Sequence, residues 1–120
     1  MNLKLALFVF AAGGLGSVAR WTISQLTTWP SIGVNLIGSF LMGLCFSWML
    51  SRELESSFQS TILMAGFLGG FTTFSAFSLE LLSFAKEGDY LRLFQYAALS
   101  VCLGLVACMA GFYALRILER

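Results

Sequence analysis

An all-α membrane protein of four transmembrane helices, the third broken mid-membrane, is the fold that this sequence predicts. Three observations carry that expectation. The 120 residues are 58% hydrophobic and only 11% charged, against about 25% charged in soluble domains. Long uncharged runs cover residues 21–51, 56–79 and 93–115, with a shorter one at 5–19. Only brief polar connectors separate them. A soluble domain of this size has too much surface to stay so apolar.

A bilayer core of about 30 Å takes about 20 mainly apolar residues as helix. The runs therefore predict helices over about 3–25, 31–50, 58–84 and 91–116, forming one domain across residues 1–120. Lys4 and the apolar residues after it could imitate a signal peptide. Because apolar spans fill the rest of the chain, we read them as a first helix that is kept. Thr27, Thr28, Trp29 and Pro30 split the first long run, and the lone proline can open helix two at its first turn. Residues 51–56 join helices two and three, and 86–89 join three and four.

Helix three differs from the others. Its centre reads Gly66-Phe67-Leu68-Gly69-Gly70-Phe71-Thr72-Thr73-Phe74-Ser75-Ala76-Phe77-Ser78. Adjacent glycines followed by two threonines weaken a helix. Backbone freed at that depth needs protein, water or an ion, because lipid offers no hydrogen bonds. Broken helices build ion sites from such groups. Gly66 and Gly70 also form a G-x-x-x-G pair, which serves plain helix packing equally well.

Charge bounds both topology and partners. Seven basic and six acidic residues leave a net charge of +1, so no basic field suggests nucleic acid. With four spans, Lys4, Arg52, Arg116 and Arg120 lie on one side, and Arg20, Lys86 and Arg92 on the other. Four against three gives the positive-inside rule little to act on. A chain with so little bias can insert both ways, and two opposite copies can pair as an antiparallel homodimer; the alternative is a single orientation set by weak cues such as Arg116 and Arg120. Cys45, Cys102 and Cys108 fall in apolar stretches as small buried hydrophobes. The chain has no histidine, and no nucleophile–base pair can be assembled, so no enzyme is expected.

A few polar residues inside the spans require a reason. Arg20 ends the first apolar run, as an interfacial anchor or a vestibule cation. Asn35 lies within helix two, with Gly38 and Ser39 about one turn on, facing either a partner helix or a water path. Glu80, near the end of helix three, is read as interfacial. Phe74 and Phe77 share a face of helix three with Ser78. Twelve phenylalanines make packing or lipid contact their default role. Hydroxyls and positive ring edges around a helix break, with no charge inside, nevertheless suit a small hard anion.

Three blocks of the chain resemble the fluoride-channel family known as Fluc or CrcB. The run Gly66–Phe77 is similar to its signature G-x-x-G-G-x-T-T-F-S-T-F. Gly13-Gly14-Leu15-Gly16-Ser17-Val18-Ala19-Arg20-Trp21 is similar to its G-G-x-G-A-x-x-R-Y. Val34-Asn35-Leu36-Ile37-Gly38-Ser39-Phe40 is similar to its V-N-x-x-G-S-F. Tyr96, Ser100 and Gly104 stand in familiar places on helix four. Departures are Ala76 for the usual threonine, Ser17 for alanine, Trp21 for tyrosine, and Pro30-Ser31-Ile32 where Gly-Thr-Leu is common.

The resemblance implies a passive fluoride channel of the bacterial inner membrane that exports fluoride and lowers its cytoplasmic level. It implies an antiparallel homodimer with two pores. Phe74 and Phe77 would then be ring-edge fluoride contacts, Asn35 the pore amide, and Ser75, Ser78 and Tyr96 polar lining. Arg20 would serve the vestibule. Backbone carbonyls of Gly69 and Thr72 would hold a structural sodium ion at the dimer interface. The alternative is a small dual-topology proton-coupled multidrug antiporter. That mechanism needs an acid in the first helix, and the first acid here is Glu53.

Overall fold

A computed structural model describes residues 2–54 and 57–119. The described residues form helices and short turns, with no strand among them. Helix α1 spans Leu3–Ser24 and α2 spans Pro30–Ser51, with Pro30 in the first turn, where its missing N–H costs nothing. The third span, Phe58–Lys86, is composite. It begins as α3, Phe58–Thr61, widens into a π-helical stretch at Ile62–Leu68, and resumes as α4, Gly69–Phe71. After two non-helical residues, α5 runs over Phe74–Lys86. Helix α6 is Tyr90–Leu118. Four of these segments, counting the third as one, are long and apolar enough to cross a membrane.

Side-chain caps mark where the helices start. Asn2, Ser57, Thr73 and Asp89 accept the N–H of Leu5, Ser60, Ala76 and Arg92 at 3.4, 3.1, 3.1 and 3.0 Å. Each satisfies an N–H that the first turn cannot pair. Gly88, at φ 74°, turns the chain between α5 and α6 in a conformation that side chains disfavour.

Helices α2 and α6 cross at Gly43 and Gly111. A Cβ on Gly43 would overlap the Cys108 carbonyl, and one on Gly111 the Phe40 carbonyl. Helix α1 meets the third span in the same way, through Gly16 against the backbone of Phe67 and Gly70 against that of Gly13. Such backbone approach supplies the van der Waals packing that holds helices together in lipid. The G-x-x-x-G pair of Gly66 and Gly70 therefore serves packing.

The interruption lies two residues beyond the position that the glycines suggested. Gly69 keeps helical angles, φ −63° and ψ −36°. Thr72 (ψ 157°) and Thr73 (φ −149°, ψ 114°) are extended. Packing on α1 holds Gly66 and Gly70 in the helix on either side of Gly69, while β-branched threonines tolerate an extended backbone well. Thr73 also caps α5, which its extended backbone permits.

The molecule measures 48 × 37 × 25 Å, with a radius of gyration of 16.0 Å. A compact chain of this length would have a radius of gyration near 14 Å, roughly. The excess reflects slender spans with open sides: Phe10 is 81% exposed and Phe74 78%. Outward apolar rings on every span are what lipid or a partner chain covers.

Candidate ion-conduction site

The extended pair Thr72–Thr73 leaves backbone groups without helical partners, and side chains from α1 and α2 take them up. The Asn35 amide pairs with Thr73 twice. Its Nδ2 donates to the Thr73 carbonyl at 2.9 Å, and its Oδ1 accepts the Thr73 N–H at 2.8 Å. One side chain thus replaces a neighbouring strand. Arg20 donates to the Thr72 carbonyl at 3.5 Å, and the Ser17 hydroxyl to the Gly70 carbonyl at 3.4 Å. Because the Thr73 N–H turns to Asn35, it does not return to the Gly69 carbonyl four residues back, as a continuous helix would require.

Two cavities meet at this junction. The smaller, about 130 Å³, is lined by Ile32, Asn35, Phe74, Phe77, Ser100 and Val101. The larger, about 360 Å³, is lined by Gly38, Ser39, Met42, Thr72, Thr73 and Cys108, and again by Asn35 and Phe74. The Phe74 and Phe77 rings stand 5.7 Å apart, tilted by 52°. The Ser100 hydroxyl is buried and has no hydrogen-bond partner among the described residues. An amide carries two N–H donors, and only one of Asn35's is used on Thr73. Asn35, a hydroxyl without a partner among the described residues and two rings therefore line a space that has no charge in its lining. Such groups stabilise a small anion without fixing it as a lysine would.

A second polar cluster lies beside Phe77. Glu80 accepts hydrogen bonds from the hydroxyls of Ser31 and Tyr96 at Oε2, and from the Ser31 N–H at Oε1, 3.2 Å away. The two hydroxyls are 3.0 Å apart. Aromatic rings enclose the cluster: Tyr96 lies 5.9 Å from Phe77, 5.6 Å from Phe84 and 5.3 Å from Trp29.

Of the residues singled out in the sequence, Asn35, Phe74 and Phe77 converge on one cavity. Phe74 is exposed and Phe77 buried. Arg20 reaches the junction from behind, at Thr72. Ser75 turns to the Thr73 hydroxyl at 3.2 Å, and Ser78 bonds back to the Phe74 carbonyl at 2.9 Å. Neither serine lines either cavity. Tyr96 stands away from the small cavity, in the Glu80 cluster. The sequence reading left Ser100 and Ser31 out of the site and placed Glu80 at the interface. The four-residue spacing of Arg92, Tyr96 and Ser100 along one face of α6 was the available signal.

The profile of the family described as CrcB-like protein, Camphor Resistance (CrcB), matches residues 7–112. The chain belongs to the CrcB family. The CrcB match takes in both cavities, the Glu80 cluster and nearly all of the four spans. Curated relatives are similar over almost their full length. A protein named fluoride-specific ion channel FluC from Gloeothece citriformis is 41% identical over 118 residues, covering 92% of this chain and 95% of the relative. Proteins of the same name from Francisella philomiragia and Rhizobium leguminosarum are 36% and 37% identical. Those alignments cover 91% and 94% of this chain, and 92% and 97% of the relatives.

Proposed function

We propose that this CrcB-family chain is a passive, fluoride-selective channel of the bacterial inner membrane, exporting fluoride and lowering its cytoplasmic level. The observation that carries the reading is the small cavity between Asn35, Ser100, Phe74 and Phe77, which offers donors and ring edges and no fixed charge. Fluoride holds water tightly, so a pore must replace that water with donors the ion can also leave. The names of the curated relatives support the same ion.

The working unit in this reading is an antiparallel homodimer with the third span broken near the membrane midplane. The open side of Phe74 and the near-even division of basic residues support it. A structural sodium ion at the dimer interface would take the carbonyls of Gly69 and Thr72. Gly69 lies on an exposed face, and its carbonyl is released because Asn35 captures the Thr73 N–H. The Thr72 oxygen accepts a long bond from Arg20, which leaves it a second lone pair. Two chains would supply four such oxygens.

Fluoride efflux from liposomes containing the purified protein tests the channel, with chloride as the comparison ion. Fluoride should leave and chloride should be retained; equal rates, or none, overturn the reading. Replacing sodium with a large organic cation during purification should weaken the dimer or its flux. Unchanged assembly and flux would remove the sodium site.

A further inference from the structure

A third cavity, about 340 Å³, opens beyond the Glu80 cluster and is lined by Thr28, Trp29, Pro30, Glu80, Ser83, Phe84, Glu87 and Arg92. Its walls come from the start of α2, the end of α5 and the start of α6, so it lies at one end of the helix bundle. Glu80 is common to the cluster and to this cavity. Trp29 and Phe84 pack on Tyr96 from the cavity side. The space therefore forms the outer approach to the cluster.

The charge at this approach is unfavourable for an anion. Two carboxylates, Glu80 and Glu87, face a single cation, Arg92. Arg92 makes no ion pair among the described residues. Its guanidinium lies 4.6 Å from the centre of the Trp29 ring and 4.8 Å from that of Phe84. Two aromatic faces attract and orient a guanidinium while leaving its N–H groups free. An arginine paired to Glu87 would be neutralised; one held on rings keeps its charge for the cavity. Four and eight residues along α6 stand Tyr96 and Ser100, so the cation heads the face that carries both hydroxyls.

We infer that Arg92, clamped on Trp29 and Phe84, is the charge that draws small hydrated monoanions into this mouth against the field of Glu80 and Glu87. The inference rests on the channel reading and adds the location and sign of an entry determinant. A cleft with low-dielectric walls focuses such a field, and its effect is on the rate of capture. Capture of this kind fades as salt screens the charges.

The test is the initial fluoride efflux rate per assembled dimer in liposomes, at about 10 mM and about 1 M of a salt with an impermeant organic anion. Arg92→Gln should slow low-salt efflux by roughly three- to tenfold, with the deficit shrinking at high salt. Arg92→Lys should recover most of that loss. Glu87→Gln should raise low-salt efflux and, combined with Arg92→Gln, bring the rate back toward wild type. An Arg92→Gln deficit of the same size at both salts would make Arg92 a packing residue and overturn the inference. So would normal low-salt efflux in Arg92→Gln, or a Glu87→Gln change that slows it. Wild-type liposomes that release no fluoride would overturn the channel reading itself, before any variant is compared.

Discussion

The Asn35–Thr73 junction and the Glu80 cluster are both polar sites within apolar spans, yet they are built on opposite plans. At the junction a neutral amide completes a stretch of backbone and keeps an N–H to spare. In the cluster a carboxylate is surrounded by donors from Ser31 and Tyr96. The junction joins structure to donor supply, so damage there harms both. The cluster takes one backbone N–H, that of Ser31, and is otherwise built of side chains, and its two hydroxyls remain within hydrogen-bond distance of each other if the carboxylate goes. A dehydrated anion finds free donors at the first site. At the second it meets donors already engaged.

The sharpest break in that comparison is Asn35→Ala. It strands both backbone groups of Thr73, and it should lower stability by about 2 kcal/mol. Fluoride flux per assembled channel should fall roughly tenfold, the equivalent of about 1.4 kcal/mol on the barrier. Thermal unfolding in detergent and efflux on the same sample separate the two losses. Stability lost with flux retained would make Asn35 a structural residue only.

Phe74 and Phe77 come next. Exchange to isoleucine keeps bulk but removes the positive ring edge. Phe77, 7% exposed and stacked near Tyr96, should lose about 1 kcal/mol of stability as isoleucine, while Phe74 at 78% exposure should lose little within one chain. Both variants should conduct several-fold less per assembled channel, roughly in proportion to one weakened contact. Normal conduction in both would move the path away from the small cavity.

The smallest effects should separate Ser100 from Glu80. Ser100→Ala removes a hydroxyl with no partner among the described residues, so stability should hold while flux drops by about threefold, less than one ordinary hydrogen bond. Glu80→Gln keeps an acceptor for Ser31 and Tyr96 and should leave assembly intact. Its change in flux should be smaller than that of Asn35→Ala. A larger effect at Glu80 would make the cluster, rather than the junction, the limiting site.

Hydropathy and connector length made the four spans legible, because lipid leaves a helix few other options. The T-T-F-S run marked the interruption, although Gly69 and Gly70 drew it two residues too early. Glycine carries two meanings, weak helix and close approach, and only the position of Gly13 on α1 decides between them. For Asn35 the interhelical bond is in place, to Thr73, and the pore amide is the proposal that its position in the cavity lining supports. Ser31 and Glu80, far apart in the chain, meet only through tertiary packing. No local pattern announces such a pair.

The interruption at Thr72–Thr73 also constrains how the chain enters the membrane. Synthesis proceeds from the N-terminus, so α1 and α2 reach the bilayer before the third span does. Among the described residues, the side chains of other helices that receive the backbone of residues 70–73 lie on those two: Ser17, Arg20 and Asn35. A third span released alone would present unpaired peptide groups to hydrocarbon, at several kcal/mol each, roughly. With its receptors already in place, it docks as it inserts. Moving the third span ahead of α1 and α2 by circular permutation would remove that chaperoning by earlier helices and should leave the chain stalled or misinserted.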